Sequence, residues 1–291
     1  MSGYDLRSLN VIASASGARP GADRNRYTSK LIADQQARTI ADVLNNDASA
    51  RVGWSLAAGS GYLEFSMRRF LVNSSDLTFN GLAGVTPIAG FPPESLERIE
   101  ALKGPSAMLN GASLHGSLGG AINAVPKRAL DTPVTQLTAT YDSRSQLGTH
   151  IDFGRRFGDA KEFGMRFNGV YRNGGTPLDR QCALALDYRG ERFRMSVDLG
   201  YHDQTRDQPL NKMSVRPGFS IPAPPAPGSN FQQPWGYMGI TDRYGIVRAE
   251  YGLAPSWTVF AAIGRRTSQS ETLDSISSLI NARGDIAQTF A

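Results

Sequence analysis

The sequence predicts a small α+β domain followed by antiparallel strands of a transmembrane β-barrel, of which about seven are present. From about residue 131, apolar and polar residues alternate with a period of two, which is typical of strands with one apolar face. These strands are about 8–13 residues long with aromatic residues near their ends, whereas strands of soluble proteins average about 5–6 residues. Apolar runs nowhere approach the roughly 20 residues of a membrane-spanning helix. The pattern therefore favours a barrel over a soluble β-sandwich.

Composition and charge exclude several classes of function. The 291 residues include 31 Lys and Arg against 26 Asp and Glu, a net charge of +5 without the basic clusters that bind nucleic acid. The single cysteine, Cys182, allows no internal disulfide, and the three histidines lack metal-ligand spacing. Nucleophile motifs and paired catalytic carboxylates are also missing from the sequence. We therefore expect no enzyme, no catalytic residue, no metal site, no cofactor and no nucleic-acid partner.

The chain divides into three predicted segments. Residues 1–27 are polar and rich in small side chains, and predict a flexible lead-in. Residues 28–130 predict a compact domain that opens with a helix, because a hydroxyl at Thr28 or Ser29 can cap its free backbone N–H groups. Residues 131–291 predict the N-terminal part of the barrel.

Within residues 28–130, short helices and glycine-broken strands alternate. The helix that opens this segment is supported by apolar residues at helical spacing within Thr39–Leu44, and Asn45-Asn46-Asp47 predicts its end. The prolines of Pro92–Glu97 predict a helix start. The run Arg98–Lys103 that follows fits either a strand or a continued helix. The sequence alone leaves these two alternatives open.

In the clearest barrel strands, apolar side chains share one face and charged side chains share the other. Phe163, Met165, Phe167 and Tyr171 alternate with Arg166, Asn168 and Arg172, and Phe193, Met195, Val197, Leu199 and Tyr201 alternate with Arg194, Ser196, Asp198 and His202. A segment at about 204–241 contains seven prolines and predicts a long loop, whereas the turns at 189–191 and 253–256 are short. Short turns at one end and long loops at the other are typical of bacterial outer-membrane barrels.

Several short motifs follow one another through residues 28–130. In chain order they are Ile40-Ala41-Asp42-Val43-Leu44, Met67-Arg68-Arg69-Phe70, Asn80-Gly81, the run from Glu97 to Gly111, Gly119-Gly120-Ala121-Ile122-Asn123 and Pro126-Lys127-Arg128. Together they resemble the plug-domain signature of TonB-dependent outer-membrane receptors, and most of all that of the ferric-siderophore receptors. The residues that carry the signature are Arg68, Phe70, Asn80, Gly81, Glu97, Glu100, Lys103, Gly104, Pro105, Gly111, Gly119, Gly120 and Asn123.

The sequence departs from the family's pattern at a few of these positions. Arg69 stands where the family has glycine, and we expect an altered backbone there. Lys103 replaces an arginine, which keeps the positive charge but loses the planar guanidinium fork. Asn110 replaces a tyrosine.

The resemblance implies a transport receptor of the cell outer membrane, although no signal peptide is visible in the chain. A receptor of this family takes up a ferric siderophore and is energised by the TonB complex. Its partners would be the chelate, the TonB complex and outer-membrane lipid. Because the cargo is a preformed chelate, such a receptor needs no cofactor and no metal ligands of its own.

Two groups of residues are candidates for contact with the cargo. By resemblance, the candidate ligand-binding residues of the plug loops are Arg68, Thr86 and Phe91. The arginines expected to face the lumen, where they would attract an anionic chelate, are Arg166, Arg172 and Arg194.

The length of the chain conflicts with that of a complete barrel of this family. A plugged barrel of 22 strands, at about 10 residues per strand, needs on the order of 220 residues in strands. Only 291 − 130 = 161 residues follow the predicted domain. We therefore expect the N-terminal portion of a receptor, with an incomplete 22-stranded barrel. The alternatives are a non-transporting remnant, a receptor for haem, cobalamin or a glycan, and a soluble secreted all-β binding or hydrolytic protein.

Overall fold

A computed structural model describes most of the chain. The described residues are 2–15, 24–52, 64–73, 76–103, 119–142, 145–174, 178–209, 213–215, 217–218, 223, 226, 229–230, 232–255, 257–279, 281 and 285–290. They form a large antiparallel sheet and a smaller mixed domain that packs against one of its faces.

Short helices and strands make up the first part of the chain. In order they are β1 (Ser2–Ala15), β2 (Arg24–Thr28), α1 (Ser29–Asp34), α2 (Ile40–Leu44), β3 (Ala50–Val52), β4 (Glu64–Met67), β5 (Phe70–Asn73), β6 (Thr78–Phe79), β7 (Leu82–Ala83), a 3₁₀ turn (Pro93–Ser95), β8 (Leu96–Lys103) and β9 (Gly120–Pro126). One sheet has the order β2-β8-β9-β6-β7, and β3, β4 and β5 form another. We call the elements from β2 to β9 the plug.

The helix predicted from Thr28 or Ser29 through Thr39–Leu44 is divided in the structure into α1 and α2, each with its own cap. The Thr28 hydroxyl accepts a hydrogen bond from the Leu31 N–H at the start of α1. At the start of α2, Thr39 and Asp42 form a capping box, in which each side chain accepts from the backbone N–H of the other.

The helix start predicted at Pro92–Glu97 is wrong, because the chain makes a single 3₁₀ turn there and continues as the strand β8. Of the two alternatives for Arg98–Lys103, the structure shows the strand, because β8 pairs along its length with β9.

Longer strands follow the plug. They are β10 (Val134–Asp142), β11 (Gln146–Phe157), β12 (Phe163–Asn173), β13 (Leu178–Arg189), β14 (Phe193–Asp207), β15 (Met213–Val215), β16 (Tyr237–Ala254), β17 (Trp257–Leu273), β18 (Ser275–Leu279) and β19 (Ile286–Phe290). The large sheet has the order β1-β17-β16-β14-β13-β12-β11-β10, so it contains the seven strands that the alternation predicts and does not close. Among the described residues, no helix is long and apolar enough to cross a membrane.

The structure differs from the flexible lead-in predicted at residues 1–27. Ser2–Ala15 is the strand β1, whose residues pair with β17 from Ser2 opposite Ser270 to Ala15 opposite Trp257. The free edge of β17 offers a row of unpaired backbone groups, and an adjacent extended segment can satisfy them whatever its side chains. Arg24–Thr28 is also a strand, paired with β8 of the plug.

The predicted loop at 204–241 is shorter in the structure. Strands β14 and β16 continue into it and pair as far as Asp207 opposite Tyr237, because pairing satisfies backbone groups that a loop would leave open. The connection is thus residues 208–236. Within its described part, β15 pairs in parallel with β18.

The apolar core lies mainly in the plug and is completed by the inward face of the large sheet. Fully buried plug side chains include Ile40, Phe65 and Ile99. Ile240 and Ile246 of β16 join the same cluster. The plug therefore packs against the inward face of the large sheet and shares one apolar core with it.

Candidate functional site

The inward face of the large sheet is polar and meets the plug. Arg166, Asn168 and Arg172 of β12 are buried there, as the alternation predicts, while Phe163 and Tyr171 are exposed on the outward face. Charged groups buried between two elements require partners, because an unpaired buried charge is costly. The partners of these side chains therefore define how the plug is attached.

One ion-pair cluster joins the end of the plug to β11 and β12. Asp152 lies 2.5 Å (Oδ1) from Nε of Arg166, and its Oδ2 accepts from Lys127 at 2.9 Å. Next to it, Nη2 of Arg128 lies 2.6 Å from Oδ2 of Asp198. The motif Pro126-Lys127-Arg128 thus fixes the end of the plug to three strands, a role that sequence analysis did not assign.

A second cluster joins the 3₁₀ turn to β12, β13 and β14. Glu94 of the turn pairs with Arg172, whose Nη1 lies 2.8 Å from Oδ2 of Asp179. The other carboxylate oxygen of Asp179 is 2.7 Å from Nε2 of His202. Asp179, Arg172 and His202 are buried, so the plug carboxylate Glu94 helps to balance the charge of a buried guanidinium.

The plug loop 84–91 is held by hydrogen bonds to β16 and β17. Asp242 is fully buried and accepts from the backbone N–H of Ile88 at 3.0 Å. Ser268 donates to the same carboxylate, and Arg266 donates to the backbone carbonyl of Thr86. The ring of Phe91 makes an edge-to-face contact with Tyr244 of β16, at 5.3 Å between ring centroids. The loop therefore takes its shape from the sheet it rests on.

The three predicted ligand-binding residues do not converge in the structure. Arg68 is exposed at the β4–β5 hairpin turn. Thr86 and Phe91 are 0% and 2% exposed. The Thr86 hydroxyl donates to the Leu77 carbonyl at 3.0 Å. A role in ligand binding stays a prediction for all three, and for Thr86 and Phe91 it would require the loop to leave the wall.

The three predicted lumen arginines occupy different environments. Arg166 and Arg172 face inward as predicted, but each is paired with buried carboxylates. Their charge is therefore largely neutralised towards a distant anion. Arg194 is exposed near the start of β14, where it lies opposite Glu250 of β16.

Several residues of the plug signature form one hydrogen-bonded unit. The side-chain oxygen of Asn123 accepts from the Gly81 N–H at 3.0 Å and from Thr78 at 2.9 Å, while its amide donates to Glu100 at 3.1 Å. Asn80 and Gly81 form the turn that this unit holds, both with positive φ. Asn123 thereby connects β6, β8 and β9.

The glycine pair of the signature is required by close backbone approach. A Cβ on Gly119 would lie 2.3 Å from the carbonyl oxygen of Met67, and one on Gly120 would lie 2.1 Å from that of Leu102. Gly120 also has a φ of +148°, which side chains disfavour. Phe70 is exposed and Glu97 is half-buried. Gly104, Pro105 and Gly111 lie outside the described residues.

Asp47 is the polar centre of the plug. It accepts hydrogen bonds from Ser49, Asn25 and Tyr27, and lies 3.2 Å from Nζ of Lys103, the residue that replaces the family's arginine. Burial alone would raise the pKa of the Asp47 carboxyl. The hydrogen bonds from Ser49, Asn25 and Lys103 outweigh burial and hold that pKa well below its usual range.

A polar cavity of about 880 Å³ separates α1 and α2 from β10, β11 and β12. Charged side chains from both sides line it, among them Arg38 and Asp42 of the plug and His150 of β11. The described residues contain no group of three or more His, Cys, Asp or Glu side chains that could hold a metal ion. The cavity is thus a polar space between the plug and the large sheet.

Comparison with known proteins identifies the same two parts. Residues 17–121 match the TonB-dependent receptor plug domain family. Over 266 residues the chain is 38% identical to the ferrichrome receptor FcuA of Yersinia enterocolitica, a match that covers 89% of this chain and 35% of FcuA. The crystal structure of BauA, the ferric preacinetobactin receptor of Acinetobacter baumannii, is 34% identical with a TM-score of 0.88, over 92% of this chain and 41% of BauA.

More distant structures share the fold alone. The closed form of Fiu, the ferric-catecholate import receptor of E. coli K12, has a TM-score of 0.76 at 17% identity, over 92% of this chain and 41% of Fiu. The chain thus spans little more than a third of the length of its curated relative. Residues 17–121 thus carry a plug of this family, that plug packs against a sheet of long antiparallel strands, and the chain is similar to part of the TonB-dependent receptors.

Proposed function

We propose that this chain is part of an outer-membrane receptor that takes up a ferric siderophore with energy from the TonB complex. The observation that carries the proposal is the way the plug is attached. Ion pairs and hydrogen bonds hold it to a polar wall at Lys127, Glu94 and the loop 84–91. Polar contacts of this kind can be exchanged for water, which favours a plug that loosens at these places. The apolar contacts of the plug with Ile240 and Ile246 of β16 are the part of the interface that a larger movement would expose.

The outward face of the large sheet supports the membrane part of the proposal. Phe163 and Tyr171 mark the two ends of an apolar band on β12. They are eight residues apart, which is about 27 Å along a strand and about 20 Å across the membrane at a tilt of 35–45°. At the Phe163 end of this band, the rings of Phe163, Tyr188 and Phe193 form a continuous row with neighbouring centroids 5.1 and 6.2 Å apart.

The ferric-siderophore cargo is supported by the relatives. FcuA and BauA, both more than 30% identical to this chain, are named for a ferrichrome and a ferric preacinetobactin. Haem, cobalamin and glycans are the competing cargoes. The plug family is named for its dependence on TonB, which supports the TonB complex as the energy source of the proposed uptake.

Uptake assays test the cargo. The complete gene that carries this sequence is deleted, and uptake of ⁵⁵Fe is measured with a neutral trihydroxamate chelate, an anionic tricatecholate chelate and haem. We expect uptake of one siderophore class to fall at least tenfold, to return on complementation and to be lost equally without TonB. Unchanged uptake across the whole panel would remove the siderophore claim, and a loss confined to haem would replace it.

A remnant that does not transport is the second candidate. Arg69, which has a φ of +70° and stands where the family has glycine, is the departure that favours it. Membrane fractionation of the product of the complete gene separates the two candidates. A receptor is expected in the outer membrane as a heat-modifiable band on gels, whereas a remnant is expected in aggregates.

A further inference from the structure

A buried histidine of the large sheet lies between two attachments of the plug, the 3₁₀ turn and the loop 84–91. His202 of β14 faces inward and is 3% exposed. It stands opposite Gln181 in the pairing of β13 with β14, and opposite Asp242 in the pairing of β14 with β16. Asp242 holds the loop, and Gln181 donates to the hydroxyl oxygen of Ser95 in the turn at 3.3 Å. The imidazole is therefore next to both attachments.

On the β13 side, the imidazole begins a row of ion pairs that ends in the plug. Its Nε2 lies 2.7 Å from Oδ1 of Asp179. The other oxygen of that carboxylate is 2.8 Å from Nη1 of Arg172, which in turn pairs with Glu94 of the 3₁₀ turn. Buried charges in contact compensate one another in place of water. A change of charge at His202 therefore alters the balance of the whole row.

On the β16 side, the ring is next to a second carboxylate and to the plug loop. Asp242 is fully buried and accepts from the Ile88 N–H at 3.0 Å. The main chain of Gly90, in the same loop, lies against the imidazole. Because Nε2 must donate to the Asp179 carboxylate, the proton that the ring can lose is the one on Nδ1. Nδ1 makes no hydrogen bond to the residues that the structure describes.

The remaining charged groups near the ring have partners of their own. On β14, Arg206 donates to a glutamine at 2.8 Å, and Asp198 pairs with an arginine at the end of the plug. On β17, Arg266 donates to a main-chain carbonyl of the plug loop. The charges that act most strongly on the imidazole are thus the carboxylates of Asp179 and Asp242, and both attract a positive charge on the ring.

We propose that His202 is a proton-dependent joint between the plug and the large sheet. With both nitrogens protonated, the ring is a cation that attracts the carboxylates of Asp179 and Asp242, and thereby firms the 3₁₀ turn and the loop 84–91. When the proton on Nδ1 is lost to solvent, two carboxylates remain beside a neutral ring and both attachments weaken. The plug is therefore held more firmly in mildly acidic medium than in alkaline medium.

Amide exchange measured against pH tests the joint. The protein is expressed from the complete gene and solubilised in detergent, and hydrogen–deuterium exchange is read at single residues at about pH 5.5 and 8.5, on either side of the range in which imidazoles titrate. The reporters are the amides of Ile88 in the loop and Ser95 in the turn. After correction for the intrinsic exchange rate, we expect the protection of both to fall about tenfold at the higher pH. The amide of Asn80, which donates to the Ala124 carbonyl at 2.8 Å inside the plug, is expected to stay unchanged.

Two substitutions separate the charge of the ring from its titration. His202→Gln keeps a donor for Asp179 without a charge, so both reporters are expected to exchange at either pH as the parent does at pH 8.5. His202→Lys is charged at both pH values, so both reporters are expected to stay protected at both.

A matched control uses the other histidine in the part of the chain that the structure describes. His150 of β11 also faces inward, but its Nε2 contacts Asn168 at 3.1 Å and not a carboxylate. His150→Gln is expected to keep the pH dependence of the parent. A heat-modifiable band on gels verifies that each variant forms its barrel.

Any of four results would overturn the proposal. The first is parent protein whose Ile88 and Ser95 protection is the same at both pH values. The second is His202→Gln that forms its barrel and keeps the pH dependence, and the third is His202→Lys that forms its barrel and is as loose as the glutamine variant. The fourth is an equal loss of pH dependence in His150→Gln. None of these readouts involves siderophore uptake, so failure of the cargo claim is distinguished from failure of this one.

Discussion

At the scale of single residues, Arg68 and Arg69 form the two-residue turn between β4 and β5 with φ values of +51° and +70°. Two-residue hairpin turns with positive φ at both positions favour glycine or asparagine, because a Cβ crowds the backbone there. Arg69 thus keeps the left-handed turn that glycine makes in the family. The sequence predicts an altered backbone at this position, whereas the structure has the same turn in a strained conformation. The strain costs about 1–2 kcal/mol per residue.

Replacing Arg69 by glycine is expected to stabilise the plug by about 1 kcal/mol. Arg69→Ala keeps the Cβ and is expected to give no gain. Hydrogen–deuterium exchange of the β4 and β5 amides in the detergent-solubilised protein measures the difference. An equal gain in both variants would show that the charge, and not the left-handed backbone, is the cost.

Asp47 predicts a dependence of plug stability on pH. Because its folded-state pKa is depressed, its contribution is complete above the unfolded value of 3.8 and is lost as the pH falls towards the folded value. Asp47→Asn is therefore expected to destabilise the plug by about 1–3 kcal/mol at pH 7, and by less at pH 3.

Exchange rates of plug amides at pH 7, 5 and 3 measure this effect. The control is Asp34→Asn, which removes an exposed carboxylate paired with Lys30 on the surface of α1. It is expected to change little at any of these pH values. A difference between Asp47→Asn and the parent that is constant with pH would contradict the assignment.

At the scale of elements, β9 is fitted between two other segments of the plug. Gly119 and Gly120 bring its start against the main-chain carbonyls of Met67 and Leu102. Backbone atoms cannot move aside as the end of a flexible side chain can. The strand order β8-β9-β6 therefore depends on glycine at both positions, because a Cβ at either one would overlap a backbone carbonyl.

Gly120→Ala is expected to destabilise the plug by roughly 3 kcal/mol, because the new methyl group would overlap a carbonyl at a disfavoured φ. Gly239→Ala in β16 is the matched control, since the nearest atom to its added Cβ is 3.9 Å away. Limited proteolysis of the two variants gives the comparison. Equal resistance would show that β9 can shift away from its neighbours.

At the scale of the whole molecule, the plug and the large sheet are coupled through Glu94 and Arg172. Glu94→Gln is expected to loosen the 3₁₀ turn, because Arg172 then remains buried with less compensation. A double-mutant cycle with Arg172→Gln should give a coupling of about 0.5–3 kcal/mol, measured from exchange of the Ser95 amide.

The surface pair of Arg189 with Asp131 is the control for this cycle, since both side chains are exposed. Arg189→Gln should change the exchange of Ser95 by less than about 0.5 kcal/mol. Additive effects of the Glu94 and Arg172 variants would mean that the two groups do not act as a pair.

Features specified by neighbouring residues could be predicted from the sequence. The period of two gives the seven barrel strands, and a hydroxyl at Thr28 gives the start of the first helix. Pairings between distant segments could not be predicted. Asp242 binds Ile88 across 154 residues, and nothing local to either residue shows it. For the same reason, local patterns indicate neither the burial of Thr86 nor the pairing of β1 with β17.

The free edge of β10 has a consequence for the order of folding. From β10 to β17, each strand of the large sheet pairs with the strand next to it in the sequence apart from the short β15, so these contacts are of short range and form quickly. The partner that covers β10 in a closed barrel must come from far along a chain. Closure is then the slow step, and until it happens the edge is open to competing strands, which makes β10 the place where assembly factors would have most effect.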